Sequence, residues 1–377
     1  MRTKLHLFLA LALLAGITHA AAQQPVITSF SQNGVLVCTN LQPGTVASVE
    51  WASSLAGPWQ TNWSGLDAVT VGPSGNIQVS VPMYYRVRGV AYTPPAPAGT
   101  NGMVLIPGGS FTMGDTLDGD PNAVPVTANV SAFYMDTNLV TWSQWQGVYA
   151  YATNHGYGLY AGAGKAANHP VYYVSWYNCV KWCNARSQQA GKVPVYYTDA
   201  GMTKVYTNLE VTVYVNWGAK GYRLPTEAEW EKAGRGGLIG QRFPWGNTIS
   251  WSQANYYVYR TGATNYYAYD VNGTSGHNPA WTSGGSPYTT PVGSFAANGY
   301  GLYDMAGNVY QWCWDWYGTL YAGGTDPRGV ATGSYRVYRG GCWPYDAFCC
   351  RAADRFSSIP TYGNINLGFR SVLPPGQ

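Results

Sequence analysis

Charge is what this chain has least of. Only 10% of its 377 residues are Asp, Glu, Lys or Arg, against the usual quarter. The formal net charge is +4 and no run of Lys or Arg appears, so phosphate-backbone recognition has no footprint and no nucleic-acid partner is expected. Histidine is scarce: five in all, of which His155, His169 and His277 lie beyond residue 22. Cysteine is limited to seven, an odd count that leaves at least one thiol unpaired and does not fix the pairing. Long apolar runs are missing except at the start. There Arg2 and Lys4 precede Leu5–Ile17, and Ala20-Ala21-Ala22 follows. That run is too short to span a bilayer and reads as a secretory signal peptide over 1–22. The expectation is an exported protein without a transmembrane segment, in a compartment that permits disulfides.

Disorder does not follow from the low charge. Hydrophobic residues make up 46%, aromatics 15%, and there are 47 glycines. The composition predicts a globular, loop-rich protein with a Tyr, Asn, Ser and Thr surface. Residues 23–91 show short apolar runs (Val46–Trp51, Ile77–Val81, Tyr84–Val87) and turn signals at Asn33-Gly34 and Pro43-Gly44. They predict a small immunoglobulin- or fibronectin-like β domain. Residues 92–100, YTPPAPAGT, form a Pro-rich linker. Residues 101–377 form the second domain.

In that domain Thr141 and Ser175 stand as N-caps before helical patterns over Thr141–Tyr151 and Trp176–Ala190. Cys179 and Cys183 share one helical face and read as buried thiols or disulfide halves. Pro225-Thr226 opens a helix carrying Glu227, Glu229 and Glu231. These carboxylates suit the positive helix start and an ion pair with Arg223 better than catalysis. Lys192–Trp217 predicts two short strands, Cys313–Tyr317 an aromatic core strand, and Leu367–Arg370 a closing strand. The stretch between Gly340-Gly341 and Leu367 is rich in Tyr, Phe, Cys, Asn, Asp and Ser without a regular period. It reads as a functional surface loop.

Several stretches go together: IPGGSFTMG (106–114), HPVYYVSW (169–176), GYRLPTEAEWE (221–231), FPWGN (243–247), PVGSF (291–295), NGYGLYDMAGNVYQW (298–312), RVYRGGCW (336–343), CRAADR (350–355) and GFR (368–370). Together they resemble the formylglycine-generating enzyme (sulfatase-modifying factor) family across nearly all of the second domain. The resemblance implies an α+β, loop-rich, C-type lectin-like fold. It further implies an oxidase that converts a cysteine of a sulfatase client to formylglycine, using copper on two thiolates, a soft pair suited to Cu(I). The second of the two matched cysteine positions is Cys350. The first is Tyr345, and the family's Ser after the glycines is Cys342. Cys350 and Cys342 are therefore the catalytic residues of an oxidase reading that lacks one of its two matched ligands. The resemblance also implies calcium at Asn255, Tyr256, Gly307, Asn308, Val309 and Gln311. Gln311 stands for a Glu, and a carboxylate position falls at Gly284, so binding is expected to be weak.

Residues 344–373 contain no Lys, Glu, Gln, Met or Trp, although those types fill 49 of 377 positions. Every residue in that window has a codon ending in a pyrimidine. The set resembles the variable loops of retroelement-diversified proteins, although a low-charge chain is short of Lys and Glu in any case. The preferred expectation is a module that binds a protein or glycan through Trp343, Tyr345, Asp346, Phe348, Arg351, Asp354, Phe356, Ser358, Tyr362 and Asn364. The alternative is an active oxidase.

Overall fold

The computed structural model describes residues 26–30, 35–39, 41, 43–44, 46–47, 68–80, 102–262 and 264–375. The chain divides into two compact units between Val90 and Ala91. The signal peptide, the Asn33-Gly34 turn, the Tyr84–Val87 strand and the linker expected from sequence lie outside the described residues.

The first unit contains an antiparallel sheet in which Val35–Thr39 lies between Val26–Phe30 and Ile77–Ser80. Its alternation is that of a half-buried strand. Leu36, Cys38, Ile77 and Val79 point into one core while Gln78 and Ser80 face out. A short pair, Val46–Ala47 with Val69–Thr70, completes the described strands.

The second unit is a mixed α and β assembly with more sheet than helix. Tyr310–Trp316 is its central strand, pairing antiparallel with Arg336–Arg339 and parallel with Leu367–Gly368. Phe356–Ser358 forms the outer edge. A second sheet places Phe133–Asp136 between Met103–Ile106 and Val372–Leu373, so the beginning and end of the unit are stitched together. A third comprises Gly109–Met113, Val126–Val130 and Gly324–Thr325.

Helix α1, Trp142–Thr153, starts at a capping box in which Thr141 and Gln144 satisfy each other's backbone N–H. Helix α2, Trp176–Gln189, starts at Ser175. Helix α3, Glu227–Gly234, starts at a second capping box, Thr226 with Glu229. Between α2 and α3, Tyr196–Tyr197 pairs with Tyr214–Val215. Phe369, fully buried, meets Trp145 and Trp182 edge-on at 6.0 and 5.2 Å, and so pins the closing strand to α1 and α2.

Much of the small complement of charge is inside. The first turns of α3 supply Glu227, Glu229 and Glu231, all buried. Glu229 takes both Nη atoms of Arg223 at 2.6 Å. Glu227 takes Arg355 at 2.7 Å through each oxygen. Glu231 bridges Arg235 and Arg339 and accepts the Gly114 N–H at 2.6 Å. Removing charge from solvent is costly unless each ion is paired and hydrogen-bonded. Here the pairs tie α3 to the central sheet and to the segment after Cys350.

His169 is also buried, its Nδ1 2.9 Å from the Thr289 hydroxyl. Burial, reinforced by Lys165, holds its pKa below the ordinary value. The unfolded chain therefore takes up the proton more readily. Stability should fall as the pH drops below about 6.5 toward the folded value. Urea unfolding at pH 7 and pH 5 should show a loss that His169→Gln reduces. An identical pH dependence in the variant would contradict this assignment.

Candidate functional site

The site is built on the Arg336–Arg339 strand and the turn after it. Gly340 and Gly341 adopt φ of 97° and 72°. A side chain at 340 would come within 2.9 Å of Trp230, and one at 341 within 2.6 Å of the Cys350 sulfur. Glycine is required here by close approach as well as by backbone conformation. The turn delivers Cys342 and Trp343 inward. The Trp343 N–H donates to the Asn308 carbonyl at 2.8 Å. Its ring packs against His277 and Tyr288 at 5.3 and 5.2 Å.

Tyr345 turns outward and is 47% exposed. Its carbonyl accepts the Tyr257 N–H at 2.8 Å, and its ring lies 5.9 Å from buried Tyr310. Asp346 caps a single 3₁₀ turn, Ala347–Cys350, by accepting the Phe348 N–H at 3.1 Å. Phe348 is half-buried between the Tyr267 ring at 5.9 Å and the Arg351 guanidinium at 3.5 Å. Phe356 stacks on Tyr338 at 6.0 Å across the sheet edge, and Ser358 pairs opposite Arg336. Tyr362 is 38% exposed and its hydroxyl contacts the Asn364 amide.

The expected surface loop is therefore two different things. Trp343, Arg351 and Asp354 are buried, which removes them from an open binding face. Arg351 reaches Asp118 at 3.1 Å, Asp120 at 3.2 Å and Asp354 at 3.3 Å, and its Nε donates to the Phe348 carbonyl. Burial pushes Asp118 upward, but Arg242 and Arg351 outweigh it and hold the carboxyl below the usual range. Residues 347 and 349–355 are core, with Ala347, Cys349, Ala352 and Ala353 among the packed side chains. Asp346, Phe348, Phe356, Ser358 and Asn364 are half-buried. The open part is Tyr345 with the 359–362 turn, where Ile359 is 48% exposed.

Residues outside the loop extend this face. Tyr259 is 51% exposed and lies near Tyr345, as does Tyr362. Tyr173, 49% exposed, has φ 57° and donates its N–H to the Asn364 carbonyl. The doubled tyrosine of HPVYYVSW was the only hint of it in the sequence. The open face is made of Tyr, Ile and Thr side chains, without a Lys, Arg, Asp or Glu among its exposed members.

Beneath it lie Cys342, Cys349 and Cys350, all buried thiols. Burial, with the neighbouring sulfurs, raises Cys342 and Cys350 well above the ordinary thiol value, and burial raises Cys349 as well. Asn366 donates to the Cys342 sulfur at 3.4 Å. The Tyr310 hydroxyl lies beside Cys349 and has no nitrogen or oxygen partner among the described residues. Thiolate is the metal-binding form, and this surrounding favours thiol. With Tyr345 at the other matched position, the residues present do not fit a two-thiolate copper site at the family's positions.

The expected calcium residues gather round one turn. Gly307 bridges to Asn255, whose carbonyl accepts the Asn308 N–H at 2.8 Å. The Asn308 side chain is bonded to both backbone groups of Thr290. Val309 is fully buried. Gln311 is not available as a ligand. Its oxygen accepts the Trp230 indole N–H at 2.8 Å and the Arg370 Nε–H at 2.7 Å, and its amide donates to the Asp304 carbonyl. A divalent ion beside the Arg370 guanidinium would be repelled. Tyr256 donates its hydroxyl to the buried carboxylate of Asp270 at 2.8 Å. Among the described residues no three His, Cys, Asp or Glu side chains converge as a metal cage, and no helix is long and apolar enough to cross a membrane.

Residues 90–374 match the family described as sulfatase-modifying factor enzyme 1-like domain. The formylglycine-generating enzyme of Streptomyces coelicolor is 32% identical over 300 residues, covering 73% of this chain and 90% of its own. That of Thermomonospora curvata is 33% identical over 304 residues, covering 73% of this chain and 94% of its own. Among solved structures, Treponema denticola variable protein 1 superposes with a TM-score of 0.55 at 29% identity, covering 72% of this chain and 95% of that one. The buried carboxylate–arginine pairs of α3, the paired-glycine turn and the GFR closing strand thus sit in a C-type lectin-like fold, and the chain belongs to the sulfatase-modifying factor family.

Proposed function

We propose that this protein is an exported, ligand-binding member of its family, receiving a protein or glycan on the uncharged aromatic face centred on Tyr345. The observation that carries the reading is the exposure of Tyr345, 47%, at a position where the oxidase needs a copper-binding cysteine. Tyr259, Tyr362 and Ile359 supply rigid area around it, the chemistry of paratopes and interface hot spots. The pyrimidine-ending codon set of residues 344–373 and the likeness to a protein named as variable support a diversified loop. Export rests on the pattern of residues 1–22.

A second reading is favoured by the relatives named formylglycine-generating enzyme and by three thiols gathered under the face. It makes the protein an oxidase of a sulfatase client through Cys350 and Cys342. Two measurements separate the readings. Titration of the reduced protein with Cu(I) should give no tight stoichiometric binding; tight binding abolished by Cys350→Ser would overturn the ligand-binding reading. A saturation scan of 342–366 read by folding should find Tyr345, Ile359, Thr361 and Tyr362 tolerant, each polar replacement shifting stability by no more than about 0.5 kcal/mol. Positions 347 and 349–355 should be intolerant. Intolerance at Tyr345 and Tyr362 would mark them as architecture.

Calcium, in this reading, is at most a weak structural ligand of the Gly307–Val309 turn, without Gln311. Chelation should shift the melting temperature by a few degrees at most, because weak ligation adds little stability at ordinary calcium levels. A collapse on chelation would show that a strong site exists.

A further inference from the structure

One cleft shares no residue with the Tyr345 face. Its volume is about 240 Å³, and Trp217, Arg223, Glu229, Asp326, Arg328 and Pro375 are among its lining residues. It is smaller than the roughly 300–1,000 Å³ of a drug-sized site. Its two carboxylates are already engaged. Glu229 holds Arg223 through both oxygens and accepts the Thr226 N–H at 2.8 Å. Asp326 accepts the Ser131 N–H at 2.6 Å and its hydroxyl at 2.8 Å.

The unused capacity is therefore that of a donor. The Arg328 guanidinium lies 4.1 Å from the Trp217 ring centroid and has no ion pair among the described residues. Arg223 lies 5.4 Å from the same ring. Asp326 carries a φ of 43°, an uncommon value for a residue other than glycine. Its Ser131 bonds and the donation of its own N–H to the Asn129 carbonyl hold that conformation. Arg328 is thus presented from a fixed turn. Lys220 holds the Pro375 carbonyl at 3.1 Å, so the proline wall is fixed too.

We infer that this cleft binds a small organic carboxylate with a planar or apolar body. The carboxylate takes the fork of Arg328, whose geometry suits a bidentate pair. The body lies against Trp217 and the prolines. A bare inorganic anion would leave those walls uncovered, and a neutral analogue would leave the guanidinium unmatched.

The test uses the full chain and benzoate as probe, followed by ligand-observed NMR, with benzamide as its uncharged match. Benzoate should bind saturably, and benzamide about tenfold more weakly or not at all. Arg328→Ala should weaken benzoate about tenfold while lowering the melting temperature by no more than about a few degrees, since this exposed side chain gives up only its contact with Trp217. Arg328→Lys should fall between, keeping the charge but losing the fork. Tyr345→Ser should leave benzoate binding as it is. Equal binding of benzoate and benzamide, or undiminished binding to the Ala variant, would overturn the inference. So would inorganic phosphate competing as well as a second aryl carboxylate, because the cleft would then be a plain anion site.

Discussion

Arg339→Met should destabilise the second unit by about 3–5 kcal/mol, the cost of removing one partner from a buried ion pair. Arg339 is fully buried. Its guanidinium meets Glu231 and donates to the carbonyls of Ala352, Ala353 and Asp354 and to the Tyr321 hydroxyl. Methionine fills much of the volume but supplies no donor. Glu231 would keep Arg235 as a partner, which places the expected loss toward the lower end. The Ala353 carbonyl would keep the Tyr321 hydroxyl at 2.6 Å, while those of Ala352 and Asp354 would keep no comparable partner among the described residues. Urea unfolding gives the number. Reaction of Cys349 and Cys350 with a thiol reagent gives the local consequence, because the backbone just after them loses its anchor. These two thiols should label faster in the variant than in the parent. A loss under about 1 kcal/mol with unchanged labelling would show that this arginine does not hold the segment.

Phe369→Ala should cost roughly 3–5 kcal/mol, the range for truncating a fully buried aromatic side chain. The ring lies between Trp145 of α1 and Trp182 of α2, and these two indoles are themselves stacked at 5.9 Å. Neither can collapse far into the space, because each indole N–H is fixed, Trp145 to the Ala161 carbonyl at 2.6 Å and Trp182 to the Trp145 carbonyl at 3.3 Å. A cavity therefore remains. Phe369→Leu should recover more than half of the loss. If alanine were tolerated within about 1 kcal/mol, the closing strand would not be a keystone of the core. Tyr345→Ser, tested alongside, should leave stability nearly unchanged, and the contrast separates the frame of the site from its face.

The features readable from sequence are those whose causes are local. Thr141 with Gln144 and Thr226 with Glu229 are capping boxes four residues long, so the starts of α1 and α3 were evident. Gly340-Gly341 announced a tight turn, and Leu367-Gly368-Phe369 an apolar close to the domain. The motif order fixed the family and, with it, the fold. That Tyr345 stands where the resemblance implies the first copper-binding cysteine was legible in the sequence alone.

Burial within the 342–366 segment was decided only in three dimensions. Arg351 looks like a surface cation until it is brought to Asp118, 233 residues earlier. Gln311 looks like a weakened calcium ligand until Trp230 and Arg370 both donate to its oxygen. Tyr259 comes to Tyr345, and Tyr173 to Asn364, from separate stretches of chain. A low count of charged residues likewise does not say whether they face water or one another. Periodicity and caps report what a residue does to its near neighbours in the chain. Pairing of buried ions, close approach at glycine and the joining of exposed aromatics depend on which distant segments meet, and the packed tertiary structure alone settles that.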